Sequence, residues 1–61
     1  MSIASPIRVL LAEDHPMMRE SLRIILQSFP HVLIVGESFT GEDAVVNAEA
    51  LQPDIVLMDI N

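Results

Sequence analysis

Three carboxylates in this 61-residue chain have the types and spacing for chemistry. Glu13 and Asp14 stand side by side directly after the apolar run "IRVLLA", and Asp59 closes a second run, "DIVLMD". Adjacent ionised carboxylates repel unless a positive group lies between them. A divalent cation would supply that group, and Mg²⁺, which takes six oxygens at about 2.0–2.1 Å from carboxylates, water and phosphate, fits an all-oxygen cluster. The chemistry to expect is that of a divalent-metal site whose shell is completed by water and phosphate.

For this to work, residues 45 positions apart must meet. Three aliphatic runs, Ile7–Ala12, Val32–Ser38 and Asp54–Asp59, are near-continuously apolar and β-branched, the pattern of parallel strands buried on both faces. Between the first two, Met18, Leu22, Ile25, Leu26 and Phe29 recur at helical spacing, with Arg19, Glu20, Arg23 and Gln27 falling elsewhere. Pro16 is compatible with a first helical turn, and Pro30 marks a helix already ended. The second connection reads as a helix capped by Thr40, with Glu42 and Asp43 at its positive end, an apolar stripe of Ala44, Val45, Ala48 and Leu51, and Pro53 after it.

Strand, helix, strand, helix, strand predicts a βαβαβ unit of α/β class with right-handed crossovers. In such sheets ligands bind beyond the carboxyl ends of the strands, where the acids lie. Strand order 2-1-3 would make the first and third strands neighbours about 4.8 Å apart, bringing Asp59 to Glu13 and Asp14. Asp54, at the start of the third strand and roughly 16 Å from Asp59 at about 3.3 Å per residue, cannot join them and belongs to the turn leading into the strand.

Composition narrows the alternatives. With nine acids, three arginines, no lysine and a net charge of −6, the chain offers no basic face for nucleic acid. No cysteine means no disulfide framework and no thiolate metal site, and the apolar runs are too short to cross a bilayer. "MSIASP" lacks the pattern of a secretory signal, so a cytoplasmic location is expected, with residues 1–6 disordered and 7–61 folded. A chain this short buries a marginal core, and a partner surface is expected to help. His15 and His31 read as solvent-facing, the methionines as packing residues, and Gly36 and Gly41 form no nucleotide-binding loop.

The segments "LLAEDHP", "GESFTGEDAV" and "QPDIVLMDIN" together resemble the first half of a response regulator receiver domain, over essentially the whole chain after residue 6. The resemblance implies a flavodoxin-like fold with strands in order 2-1-3 and helices on both faces, truncated relative to the five-strand family fold. It implies Asp59 as the phosphoacceptor, Mg²⁺ held by Glu13, Asp14, Asp59 and the Asn61 backbone carbonyl, and a sensor histidine kinase as phosphodonor. "EDHPMMRESL" is similar to the NarL-like regulators, in which the receiver precedes a LuxR-type helix-turn-helix, implying a DNA-binding output domain outside this chain. Family parts after the third strand, a Ser or Thr and a Lys, are not in the sequence, so slow phosphotransfer is expected for these 61 residues, a signalling module and not an enzyme. The third strand is expected to be a raw edge that drives self-association. A non-catalytic dimerisation module is the alternative function.

Overall fold

The structure, a computed structural model, describes residues 5–59. The expected disorder of residues 1–6 therefore falls mostly outside the described residues, as does the Asn61 carbonyl. The elements run β1 (Ile7–Glu13), α1 (Pro16–Gln27), β2 (Val32–Ser38), α2 (Gly41–Leu51) and β3 (Ile55–Asp59). They form one parallel sheet in the order β2-β1-β3, the order expected.

The core is β1. Val9, Leu10, Leu11 and Ala12 are all buried, because this central strand has a neighbour on each side and a helix on each face. Leu10 and Ala12 face α2, while Val9, Leu11 and Glu13 face α1, following the two-residue alternation of a strand. Opposite them β2 carries one extra residue, since Val9 pairs with Ile34 but Leu10 with Gly36. This bulge at Val35 reverses the alternation of β2. Gly36 and Ser38 thereby face α2, and Glu37 faces α1.

The faces close through particular contacts. A Cβ on Gly36 would lie 2.7 Å from Leu51 Cδ1, so the absent side chain lets the last turn of α2 settle on β2. Ser38, fully buried, accepts a hydrogen bond from Asn47 Nδ2 at 2.7 Å. On the other face Arg19 and Arg23 of α1 converge on Glu37, at 3.7 and 3.5 Å, and Arg19 also stacks on the Phe39 ring at 3.9 Å.

Both helix ends of α2 are satisfied. Thr40 Oγ1 accepts from the Asp43 N–H at 3.0 Å, the cap read from the sequence. At the other end Gln52 takes a left-handed conformation, φ 50°, before Pro53. The Arg8 guanidinium reaches across from β1 to donate to the Leu51 and Gln52 carbonyls at 2.7 and 2.6 Å, placing a cation at the negative end of the helix. Asp54 lies in the turn before β3, as expected, where its Oδ2 accepts from the Arg8 N–H and its own N–H donates to the Arg8 carbonyl, both at 2.8 Å.

Three expectations need correction. The stripe that α1 packs inward is Arg19, Leu22, Arg23 and Leu26, all partly buried, while Met18, Ile25 and Phe29 are exposed. The helix turns toward the sheet the face whose arginines pair with Glu37. In α2 the inward residues are Ala44, Asn47, Ala48 and Leu51, and Val45 is exposed. Finally, β3 is not buried on two faces: all five of its residues are exposed, because both helices pack over β1 and β2.

Candidate functional site

The carboxyl edge of the sheet collects the candidate residues. Glu13 is the last residue of β1, Asp59 the last of β3, and the two are partners in the parallel register. Paired residues of adjacent parallel strands project to the same face, so both line one open cleft, closed on its other side by His15, Met17, Met18 and Ser21 from the start of α1. Asp14 follows Glu13 as the chain leaves the strand. The acids expected to converge are thus at one strand edge, and Asp54 is at the opposite one.

Burial makes this corner unusual. The Glu13 side chain is only 1% exposed. Its backbone carbonyl accepts from Arg19 Nη1 at 3.1 Å, which ties the end of β1 to α1. Among the described residues the carboxylate has one partner: Oε1 accepts from His15 Nδ1 at 3.1 Å, whereas Oε2 is buried with none. Asp14 Oδ1 is likewise buried and without a hydrogen-bond partner, although His15 Nδ1 lies 2.9 Å from it, off the line a hydrogen bond requires. Buried acceptors are ordinarily paired, because leaving one without a donor costs about 1–3 kcal/mol.

His15 is the residue the sequence reading missed. It is 60% exposed, as expected, but its ring leans back over both acids, and Glu13, Asp14 and His15 each offer a ligand atom within 4.8 Å of the others. Its pKa is raised above the usual imidazole value, chiefly by the hydrogen bond to Glu13 and then by the charge of Asp14, with Asp59 contributing as well. The signal available in the sequence was adjacency: a histidine immediately after two acids, at a turn preceding a helix.

The arrangement fits a divalent cation. Glu13 lines the cleft, it and Asp14 each carry a buried oxygen with no donor among the described residues, and a metal ion is the kind of partner that satisfies several acceptors at once. The Asp59 carboxylate stands beside this group in the register, outside the tight Glu13–Asp14–His15 cluster.

Residues 9–61 match the response regulator receiver domain. The chain belongs to that family. It is 39% identical to the nitrate/nitrite response regulator NarL of Escherichia coli over 61 residues, all of this chain and 28% of that protein. It is 46% identical over 55 residues to a protein-glutamate methylesterase/protein-glutamine glutaminase of Syntrophomonas wolfei, 90% of this chain and 16% of that protein. In three dimensions it resembles the signal receiver domain of NarL from Mycobacterium tuberculosis, with a TM-score of 0.88 and 34% identity over 92% of this chain and 45% of that one. The chain therefore spans less than half the length of these relatives, and it forms the flavodoxin-like receiver half that the resemblance implies.

Proposed function

We propose that this receiver region accepts a phosphoryl group on Asp59 from the phosphohistidine of a sensor kinase, with Mg²⁺ held by Glu13, Asp14 and Asp59 and by the Asn61 carbonyl. The supporting observation is the pairing of Glu13 with Asp59 at the carboxyl ends of adjacent strands, where a buried Glu13 oxygen has no partner among the described residues. An Asp59 oxygen attacks phosphorus, the P–N bond to the donor imidazole breaks, and an acyl phosphate forms on Asp59. When bound, the metal neutralises charge on the phosphoryl oxygens. The chain's own share is alignment. Strand pairing sets Asp59 beside Glu13, Arg19 fixes the end of β1, and the cleft beneath Met17 and Met18 leaves room for the donor.

In this reading the protein acts in the cytoplasm as a phosphoacceptor switch, and an output domain like that of the NarL group, DNA-binding, carries the response. Among the described residues no helix is long and apolar enough to cross a membrane. The test is incubation of the protein at its natural length with phosphoramidate and Mg²⁺. One added phosphoryl mass that disappears in Asp59→Ala supports the reading; no added mass, or a mass that survives the substitution, excludes it. The 61 residues alone contain no lysine to pair with the phosphoryl group, so transfer to them is expected to be slower.

A second reading rests on β3. Its residues Ile55–Met58 expose side chains on both faces and an open backbone edge, which is the surface of a self-associating strand. In that case the region works as a dimerisation module. Sedimentation at micromolar concentration discriminates, a monomer excluding it.

A further inference from the structure

The same acidic corner carries a nitrogen donor, and its position bears on which ion the corner takes. We propose that His15 is a specificity-determining ligand: with the Glu13 and Asp14 carboxylates its Nδ1 makes a centre that takes a borderline transition ion of the zinc class more tightly than Mg²⁺. This rests on the reading of the corner as a metal centre, and adds to it the identity of the ion.

Three observations support the assignment. Nδ1 lies 3.1 Å from Glu13 Oε1 and 2.9 Å from Asp14 Oδ1. In a coordination shell of about 2.1 Å radius, neighbouring ligand atoms stand roughly 3.0 Å apart in an octahedron and 3.4 Å in a tetrahedron. The two distances from the imidazole thus match an edge of such a shell, and the two carboxylate oxygens lie within 4.8 Å of each other. Second, the Glu13 carboxylate is almost wholly buried and its Oε2 has no partner among the described residues, so the cluster is more than a patch of surface acids. Third, the His15 side chain is uncommitted to the fold. It makes no capping hydrogen bond to α1, and it is mostly exposed, so it can adjust to an ion without disturbing the core.

Ligand type then decides the preference. Mg²⁺ keeps to oxygen and gains little from an imidazole, whereas Zn²⁺ and its neighbours bind imidazole strongly. His15 therefore raises affinity for the borderline ions selectively. For Mg²⁺ it is a competitor, because in the metal-free protein its Nδ1 engages the Glu13 carboxylate that would hold the ion.

The experiment is a pair of NMR titrations, Zn²⁺ and Mg²⁺ separately, on the chain, on His15→Ala and on His31→Ala, at about pH 8 so that imidazole is available to the metal. Amide shifts of Glu13 and Asp14 report the site, and ring nitrogen shifts of His15 report ligation. Expected are tighter Zn²⁺ than Mg²⁺ binding, a His15 ring shift with Zn²⁺ alone, and a Zn²⁺/Mg²⁺ affinity ratio that falls about tenfold or more in His15→Ala. Mg²⁺ affinity should hold or rise, and His31→Ala should behave as the parent. An unchanged ratio in His15→Ala, a silent His15 ring, or loss of Zn²⁺ binding on His31→Ala overturns the proposal while leaving the metal centre intact. If neither ion moves the Glu13 and Asp14 amides, the metal centre itself falls, and the assignment of His15 with it.

Discussion

Glu13→Gln should make the metal-free protein more stable and blind to Mg²⁺. The Glu13 carboxylate is buried, with one oxygen lacking any donor, and an orphaned buried acceptor costs about 1–3 kcal/mol. A second carboxylate within 4.8 Å adds to this. At an effective dielectric of about 20, two unit charges that far apart repel by roughly 3 kcal/mol, a burden that His15, placed between them, partly relieves. The amide keeps the shape of the side chain and removes its charge. A net gain of about 1–3 kcal/mol follows.

In urea, with a slope near 1 kcal/mol/M for so small a domain, the midpoint should rise by about 1 M or more. Mg²⁺ at about 100 times its dissociation constant should raise the parent's stability by about 2.7 kcal/mol and leave Glu13→Gln where it was. The measurement is urea unfolding followed by circular dichroism, for both proteins, with and without Mg²⁺. If Glu13→Gln is less stable than the parent in metal-free buffer, or if Mg²⁺ shifts both midpoints equally, Glu13 is not held in the fold at a cost that a metal relieves.

The remaining predictions concern the frame and the histidine. Gly36→Ala should lower stability by about 1–3 kcal/mol, because its Cβ would sit 2.7 Å from Leu51 Cδ1. Combined with Leu51→Ala the loss should be less than additive in a double-mutant cycle. Arg8→Met should cost about 1–3 kcal/mol and speed hydrogen exchange in the last turn of α2, since two carbonyls there lose their charged donor. His15, its pKa raised first by the Glu13 hydrogen bond, should titrate by NMR with a midpoint above about 6.5, returning toward that value in Glu13→Gln. Because the folded pKa lies above the unfolded one, the His15 contribution to stability is fully present below about pH 6.5 and is lost as pH rises through the folded value.

The sequence was most legible where one physical demand dominates. β1 is central, so its apolar run could mean only burial, and Thr40 caps α2 because a hydroxyl before a helix has one common use. The convergence of the acids at one edge followed from the strand order 2-1-3, which the family resemblance implied. Misreadings arose where two demands compete. Met18, Ile25 and Phe29 are as apolar as Leu22 and Leu26, and hydropathy cannot say which stripe of α1 meets the sheet. That choice is made by Arg19 and Arg23, whose partner Glu37 comes from β2 and faces α1 only because of the bulge at Val35. Nothing in "VLIVGES" marks that extra residue except Gly36, which has its own reason to be there. His15 was passed over because exposure, rightly foreseen, says nothing about what an exposed ring can lean on.

The candidate site and the open edge are mechanically one problem. Asp59 owes its place beside Glu13 to β3 alone, a five-residue strand whose ladder runs to a single neighbour and whose side chains are all exposed. Glu13 is anchored from three directions, by β3, by Arg19 and by its own burial, whereas among the described residues Asp59 has only the pairing. Strands with few apolar contacts open at low free-energy cost, so the separation of the two carboxylates is set by whatever stabilises β3 against β1. An ion shared by Glu13 and Asp59 would do so from the end of the strand. A surface laid against Val56 and Met58 on one face, or Ile55 and Leu57 on the other, would do so along its length. By linkage each must strengthen the other: covering β3 tightens the metal centre, and loading the centre with metal firms the strand that a partner would grip.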